Sequence, residues 1–383
     1  METNTKVGVI GAGAMGSGIA QVAAQAGHTV LLYDVNADAV ARALQNLTKS
    51  LAKLVEKGKF SQDKADQIQA NISAANTLAD LSECGIIIEA IVENLEVKQQ
   101  IFRDIEHNVA PDCILATNTS SLSVTSIAAA CKRPERVLGI HFFNPATLMQ
   151  LVEIVPAIQT NSDTTTTATQ LINSWGKTTV QAKDTPGFIV NRIARPFYGE
   201  AIRIFEEQIA DMPTIDWAMT QLGGFKMGPF ALMDFIGHDI NYTVTETVFR
   251  AFFFDPRYKP SFAQKRLVEA GWLGRKTGRG FYQYGPDAPV PQPNTDPELG
   301  QKIRERIVAM LINEAADALY LNIASAADIE TAMTKGVNYP HGLLAWANQI
   351  GIETVVETLD TLYQTYHEDR YRVSPILRKT TKF

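Results

Sequence analysis

The chain has 383 residues, of which 45% are hydrophobic and 20% charged, and its formal net charge is −6. That length exceeds what one hydrophobic core usually organises, so two or three domains are expected. The acidic balance excludes a general nucleic-acid or membrane-surface binder, while a few local lysines and backbone amides would still suffice for a polyphosphate ligand.

Val7 to Ile10 is the first buried strand. The apolar stretch it opens, to Ala26, is full of glycine and lacks the order of an export signal. Val30 to Tyr33, Ile86 to Ile88, Ile114 to Ala116 and Val137 to Ile140 are further short apolar runs, read as strands buried on both faces. Ala37 to Val55 and Val97 to Val109 carry apolar residues at helical spacing between them. The alternation predicts an α/β, Rossmann-type, doubly wound and mainly parallel sheet over residues 1–185. Leu151 to Val155 and Thr178 to Val180 extend it at one edge.

From Pro186 the strand signals almost vanish. Ile189 to Gln208, Thr214 to Leu222, Asp239 to Phe253 and Ser261 to Ala270 all suit helices, giving an all-helical domain over 186–284. Five prolines (Pro286, Pro289, Pro291, Pro293, Pro297) make Gly285 to Pro297 a stiff linker. Residues 298–383 then read as a second, degenerate copy of the helical domain. The stretch beginning at Asn191 aligns without gaps to the one from Glu305, setting Glu200-Ala201 on Glu314-Ala315 and Ala218-Met219 on Ala332-Met333. "DPRY" at Asp255 matches "EDRY" at Glu368 after a one-residue shift. No segment reaches the roughly 18 uninterrupted apolar residues of a membrane span. Cys84, Cys113 and Cys131 are far apart without metal-ligand spacing, so no metal and a reduced, cytoplasmic setting are expected.

"VGVIGAGAMGSGIA" places Gly11, Gly13 and Gly16, with Ala14 and Met15 between them, directly after a strand and at the start of a helix. The first glycine permits a tight turn, the second lets backbone approach a pyrophosphate, and the third lets helix and strand pack closely. Asp34 ends the next strand, where a carboxylate accepts hydrogen bonds from ribose hydroxyls and repels a 2′-phosphate. No arginine follows immediately, so NAD is favoured over NADP.

"GIHFFNP" sets His141 just past an apolar strand, and "LMQLVEIVP" puts Glu153 within another. A carboxylate among Leu151, Val152, Ile154 and Val155 is costly to bury unless paired, and a histidine is its natural partner. Oxidation of an alcohol by hydride transfer demands removal of the hydroxyl proton, and His141 would be the base that takes it, with Glu153 its orienting carboxylate. From spacing alone, an unrelated buried histidine and an edge-strand glutamate fit as well. Ser120 follows a strand end on the same rim, but would equally cap a helix ahead of Val124. Asn191 opens the helical domain, where solvation of a helix surface is the plainer role.

These segments resemble the 3-hydroxyacyl-CoA dehydrogenase family over nearly the whole chain, through "GVIGAGAMGSGIA", "EAIVENLEVKQQIF", "TNTSSL", "GIHFFNPATLMQLVEIV", "KDTPGFIVNR", "KMGPFALMDFIG" and "GRKTGRGFYQY". The resemblance implies NAD-dependent oxidation of a 3-hydroxyacyl-CoA, with His141 as base and Glu153 paired to it. It also implies that Ser120 and Asn191 hold substrate, with Asn144 close by. The resemblance further implies that Glu93, Lys98 and Lys276 contact the cofactor, and Ser50 and Lys57 the coenzyme A tail. The likeness is greatest to the branch with 3-hydroxyadipyl-CoA dehydrogenases, and 3-hydroxybutyryl-CoA is an equally suitable substrate. A dehydrogenase of free β-hydroxy acids and a crystallin-like structural protein are the competing readings. In the second copy Glu305 matches Asn191, "PHGLL" matches "KMGPF", and no counterpart of "GRKTGRGFY" is expected. That copy is read as structural, taking the place of a partner subunit, so that the protein is a monomer with an internal pseudo-dimer or else a homodimer.

Overall fold

The structure is a computed structural model and describes residues 5–383, so residues 1–4 of the expected first domain lie outside the described residues. The chain forms two compact units, Met1–Thr185 and Pro186–Phe383.

The first unit is built on eight strands, β1 (Val7–Ile10), β2 (Val30–Tyr33), β3 (Ile72–Ala74), β4 (Ile86–Glu89), β5 (Ile114–Thr117), β6 (Val137–Phe142), β7 (Leu151–Pro156) and β8 (Thr178–Gln181). Helices α1 (Ala14–Gln25), α2 (Ala37–Glu56), α3 (Gln62–Ala70), α4 (Leu95–Glu106), α5 (Val124–Ala128) and α6 (Ser162–Ser174) connect them. The sheet order is β3-β2-β1-β4-β5-β6-β7-β8. From β1 the chain winds outward through β2 and β3, then returns to the other side of β1 at β4. That reversal is the place where open sheets of this kind bind ligands.

Strands β1, β4, β5 and β6 are buried along their length, as expected, whereas β2 alternates buried and half-buried positions. One core cluster on the sheet gathers Val9, Ile19, Leu32, Ile88, Ile140 and Ile154. Each such side chain contributes about 1.5–3 kcal/mol by leaving water. The pairing of β6 with β7 is antiparallel, because the connection from Phe143 to Gln150 is too short for a helical crossover. Neither β3 nor α6 was expected from the sequence. β3 buries only Ile72, and α6 opens on a run of threonines, poor helix formers that hide its apolar stripe.

The second unit is helical: α7 (Val190–Ile193), α8 (Arg195–Glu206), α9 (Met212–Trp217), α10 (Pro229–Ile236), α11 (His238–Ala251), α12 (Phe262–Glu269), α13 (Pro297–Tyr320), α14 (Ala326–Gly336), α15 (Leu343–Ile350) and α16 (Ile352–Tyr366). The single helix expected over Ile189 to Gln208 is two, broken at Ala194 by Pro196, which cannot donate its missing N–H. The proline-rich stretch has no regular structure from Ala288 to Asp296, but Pro297 opens α13 instead of closing the linker.

The offset that sets Asn191 on Glu305 also sets α10 on α15 and the start of α11 on the start of α16. Asp211 and Ser325, matched by that offset, cap α9 and α14 with their side chains. Asp216 accepts from the first N–H groups of α10 (Phe230 and Ala231), and its match Glu330 does so for α15 (Leu344 and Ala345). Contacts of α7 and α8 with α13 are reciprocal. Arg192 donates to Glu314 at 2.7 Å and Arg306 to Glu200 at 3.0 Å, and each pair is the image of the other under the alignment. Tyr258 and Tyr371 complete the exchange, donating to Glu314 and Glu200.

The structure corrects one reading of the second copy. Arg378 to Phe383 is a shortened counterpart of "GRKTGRGFY". The Phe383 N–H reaches Asn348, as the Phe281 N–H reaches Asp234, the residue matching Asn348. Thr380 donates to Lys382 O as Thr277 does to Arg279 O. Gly278 is replaced by Thr381 and Gly280 has no counterpart, which leaves the loop one residue shorter.

Candidate active site

Strands β1, β4, β5 and β6 run parallel, so their carboxyl ends share one edge of the sheet. The turn Gly11–Gly16, Glu93, Ser120 and His141 all stand at or just beyond those four ends. Topology therefore brings together residues spread over 130 positions of sequence, about a third of the chain.

His141 and Glu153 are directly opposed in the β6–β7 ladder. Opposed residues of an antiparallel pair point to the same face, and His141 Nδ1 lies 2.7 Å from Glu153 Oε2. The histidine is 5% exposed and the glutamate 0%. Donation of the Nδ1 proton to the carboxylate leaves the basic lone pair on Nε2. Asn118 accepts from Phe142 N at 2.8 Å and ties the end of β5 to β6 beside the histidine. It was not singled out from the sequence, although it stands inside "TNTSSL".

Glu93 organises the loop that carries Ser120. Its Oε1 accepts from Thr119 Oγ1 at 2.6 Å, Ser120 N at 3.0 Å and Ser121 Oγ at 3.1 Å. Burial alone would raise the Glu93 carboxyl. Lys98 and these hydrogen bonds outweigh it and hold the group below the usual range. Lys98 is 1% exposed, with Nζ 2.6 Å from Glu89 and 3.4 Å from Glu93. It stands beneath the rim and acts on it through Glu93. Helix α5 is capped by Ser123, whose side chain accepts from Ser126 N, so Ser120 is not the cap.

The glycine turn fits a dinucleotide. Gly11 has φ +105°, and a Cβ there would lie 2.5 Å from Ala90 O, while one on Gly16 would lie 1.8 Å from Gly11 O. A Cβ on Gly13 would meet only open space, where a phosphate can approach the uncapped N-terminus of α1 that begins with Ala14 and Met15. Asp34 is held by Ala12 N at 2.8 Å and Asn36 N at 2.9 Å. A groove of about 680 Å³ runs from Gly13 and Asp34 past Ser50 on α2 to Pro145. Arg42 and Asn46 also line it. With Ser50 they form a stripe at four-residue spacing on α2, a pattern legible in the sequence. Lys57 caps the end of α2 and does not line this groove, and Asn144 precedes Pro145 at its edge.

In the second unit, Asn191 is half-buried on α7, and Lys276 Nζ lies 2.6 Å from both carboxylate oxygens of Asp239. Burial pushes the free thiols of Cys84, Cys113 and Cys131 up to about 11, 12 and 12, so none is a ready nucleophile. Among the described residues no cluster of three or more His, Cys, Asp or Glu could hold a metal, and no helix is long and apolar enough to cross a membrane.

The NAD binding domain model of 3-hydroxyacyl-CoA dehydrogenase matches residues 6–185, and the C-terminal domain model of the same family matches residues 187–284 and 303–383. The 3-hydroxyadipyl-CoA dehydrogenase of Escherichia coli K12 is 37% identical, covering 97% of this chain and 96% of its own. The 3-hydroxybutyryl-CoA dehydrogenase of Bradyrhizobium diazoefficiens is 43% identical, covering 75% of this chain and 97% of its own. The crystal structure of 3-hydroxybutyryl-CoA dehydrogenase from E. coli K12 superposes with a TM-score of 0.92 at 36% identity, over 98% of both chains.

Proposed function

The chain belongs to the 3-hydroxyacyl-CoA dehydrogenase family, and from that premise we propose how its residues oxidise an (S)-3-hydroxyacyl-CoA to the 3-oxoacyl-CoA. The buried His141–Glu153 pair at the carboxyl rim of the sheet carries the reading. His141 Nε2 takes the proton of the 3-hydroxyl. Glu153 keeps the other ring nitrogen protonated and stabilises the imidazolium that forms. Bound NAD supplies the acceptor for the hydride leaving C3.

The Gly11–Gly16 turn binds the pyrophosphate through backbone N–H groups, and Asp34 takes the ribose hydroxyls. Ser120 and Asn191 orient the thioester, beside Asn144. Glu93, steadied by Lys98, fixes the Ser120 loop and contributes to the cofactor site together with Lys276. Ser50 and Lys57 serve the coenzyme A tail. A base on the helical unit, as in dehydrogenases of free β-hydroxy acids, is not favoured. A histidine already oriented by a buried carboxylate is the stronger candidate, and retention of the pair argues equally against a purely structural protein.

Residues 186–284 and 298–383 are two copies of one helical domain in this reading, supported by the shared caps and the exchanged arginine–glutamate pairs. The second copy takes the place of a partner subunit, so the protein works as a monomer, in the cytoplasm. Substrates are 3-hydroxybutyryl-CoA and 3-hydroxyadipyl-CoA, the acyl groups in the names of its relatives. A panel of 3-hydroxyacyl-CoAs including the adipyl form, followed by nicotinamide absorbance, tests both reaction and specificity. Activity on the free acids without a coenzyme A requirement would overturn the assignment.

A further inference from the structure

Within the helical unit, a cavity of about 290 Å³ lies among α8, α11, the segment before α12, and the Glu368–Arg370 turn of the second copy. Its wall holds the cations Arg195, Arg203, Lys259 and Arg370 and the carboxylates Glu206, Glu207 and Glu368. Every one of those carboxylates is engaged. Glu206 accepts from Ser261 Oγ at 2.7 Å, Glu207 from Arg306 and Tyr366 at 2.7 Å each, and Glu368 lies 3.0 Å from Arg370. Arg203 is in turn matched by Glu200 at 3.3 Å.

Arg195 has no such counter-charge. It is 6% exposed, donates once, to Thr245 Oγ1 at 3.0 Å, and lies over the Tyr198 ring at 4.9 Å. Its Nε has no acceptor, whereas Arg370 is paired with Glu368 at 3.0 Å and turns its Nε toward Glu200 at 3.8 Å. A guanidinium cannot shed its proton to escape burial, so an uncompensated one is costly. Burial pulls the Arg195 group down from its ordinary value, the direction this predicts. The residue is not needed to pack the repeat, because its match in the second copy is Ala309, which is itself buried.

We propose that this cavity is a binding site for a small oxyanion, a phosphate or a short carboxylate, with Arg195 as its principal ligand and Arg370 and Lys259 beside it. The anion supplies the charge that the arginine lacks and stitches the first helical copy to the turn of the second. Charge-assisted bonds to a buried guanidinium make such a site selective for oxyanions over chloride.

The test is titration of inorganic phosphate, and separately of adipate, into the full chain at constant ionic strength set with chloride. Saturating NAD keeps the glycine turn filled throughout. Saturable binding of at least one anion and a chloride-independent rise in melting temperature are expected, and whichever anion binds identifies the source. Arg195→Ala should weaken that binding at least about tenfold. The exposed Lys259→Ala, which leaves the core untouched, should weaken it about threefold and keeps the test open if the first variant does not fold. No saturable binding of either anion, or binding undiminished in both variants, overturns the proposal.

Discussion

His141 Nδ1 lies 2.7 Å from Glu153 Oε2 because the two residues are opposed across the antiparallel β6–β7 ladder of a sheet whose other pairings among the described residues are parallel. The reversal at β7 is what turns two residues separated in sequence into one acid–base unit. Were β7 parallel to β6, the register that pairs them would not exist.

His141→Ala should lower turnover by about 10²–10⁴-fold while leaving NAD affinity unchanged in a fluorescence titration. Glu153→Gln keeps an acceptor but removes the charge, and its turnover should fall between those of the parent and His141→Ala. Parental turnover in the glutamine variant would show that the carboxylate does not assist the base.

Asp34 is preset by two backbone N–H groups at the edge of the groove. Asp34→Ala should weaken NAD by about tenfold or more, the worth of hydrogen bonds to a charged acceptor. Discrimination against NADP should shrink at the same time. Equilibrium titration with both nucleotides measures the two effects together, and unchanged NAD affinity would remove Asp34 from the site.

The buried pairs Arg192–Glu314 and Arg306–Glu200 join the two halves of the helical unit. Arg306→Met leaves Glu200 buried without its main partner and should cost about 3–5 kcal/mol, read from urea unfolding. Arg306→Met with Glu200→Gln should cost less than the two single changes summed. Light scattering of the parent protein should give the mass of one chain. A dimer joined through α8 would exclude internal replacement of a partner.

Burial pushes the Asp216 carboxyl up to about 6, against the pull of hydrogen bonds from Phe230 N, Ala231 N and Tyr282. The folded state thus holds this proton more tightly than the unfolded chain does. Its contribution to stability is full below about pH 4 and is lost as pH rises through 6. The unfolding free energy of the parent minus that of Asp216→Asn should therefore fall between pH 4 and pH 7. A difference independent of pH would assign the titration elsewhere.

The three thiols are buried and raised to about 11–12. At pH 8 the native protein should resist alkylation by iodoacetamide, and all three should react once it is unfolded. Rapid labelling of the native chain would reveal an opening of the sheet unit.

The sequence by itself determined the strands of the first unit other than β3, the glycine turn, Asp34, the histidine and glutamate as candidates, and the repeated helices. Those signals are local. A strand period, a turn glycine or a helical stripe is written in a dozen neighbouring residues. Tertiary structure alone decided that His141 faces Glu153, that Glu93 holds the Ser120 loop with Lys98 buried beneath it, and that arginines and glutamates are exchanged between the helical copies. It also exposed the shortened Arg378–Phe383 loop, where a three-residue identity, Arg378-Lys379-Thr380 with Arg275-Lys276-Thr277, gained meaning only from the shared hydrogen bonds. Pairings of that kind depend on which strand or helix lies next to which, and on the register between them. A buried charge declares its partner only when both have been carried out of water to the same place.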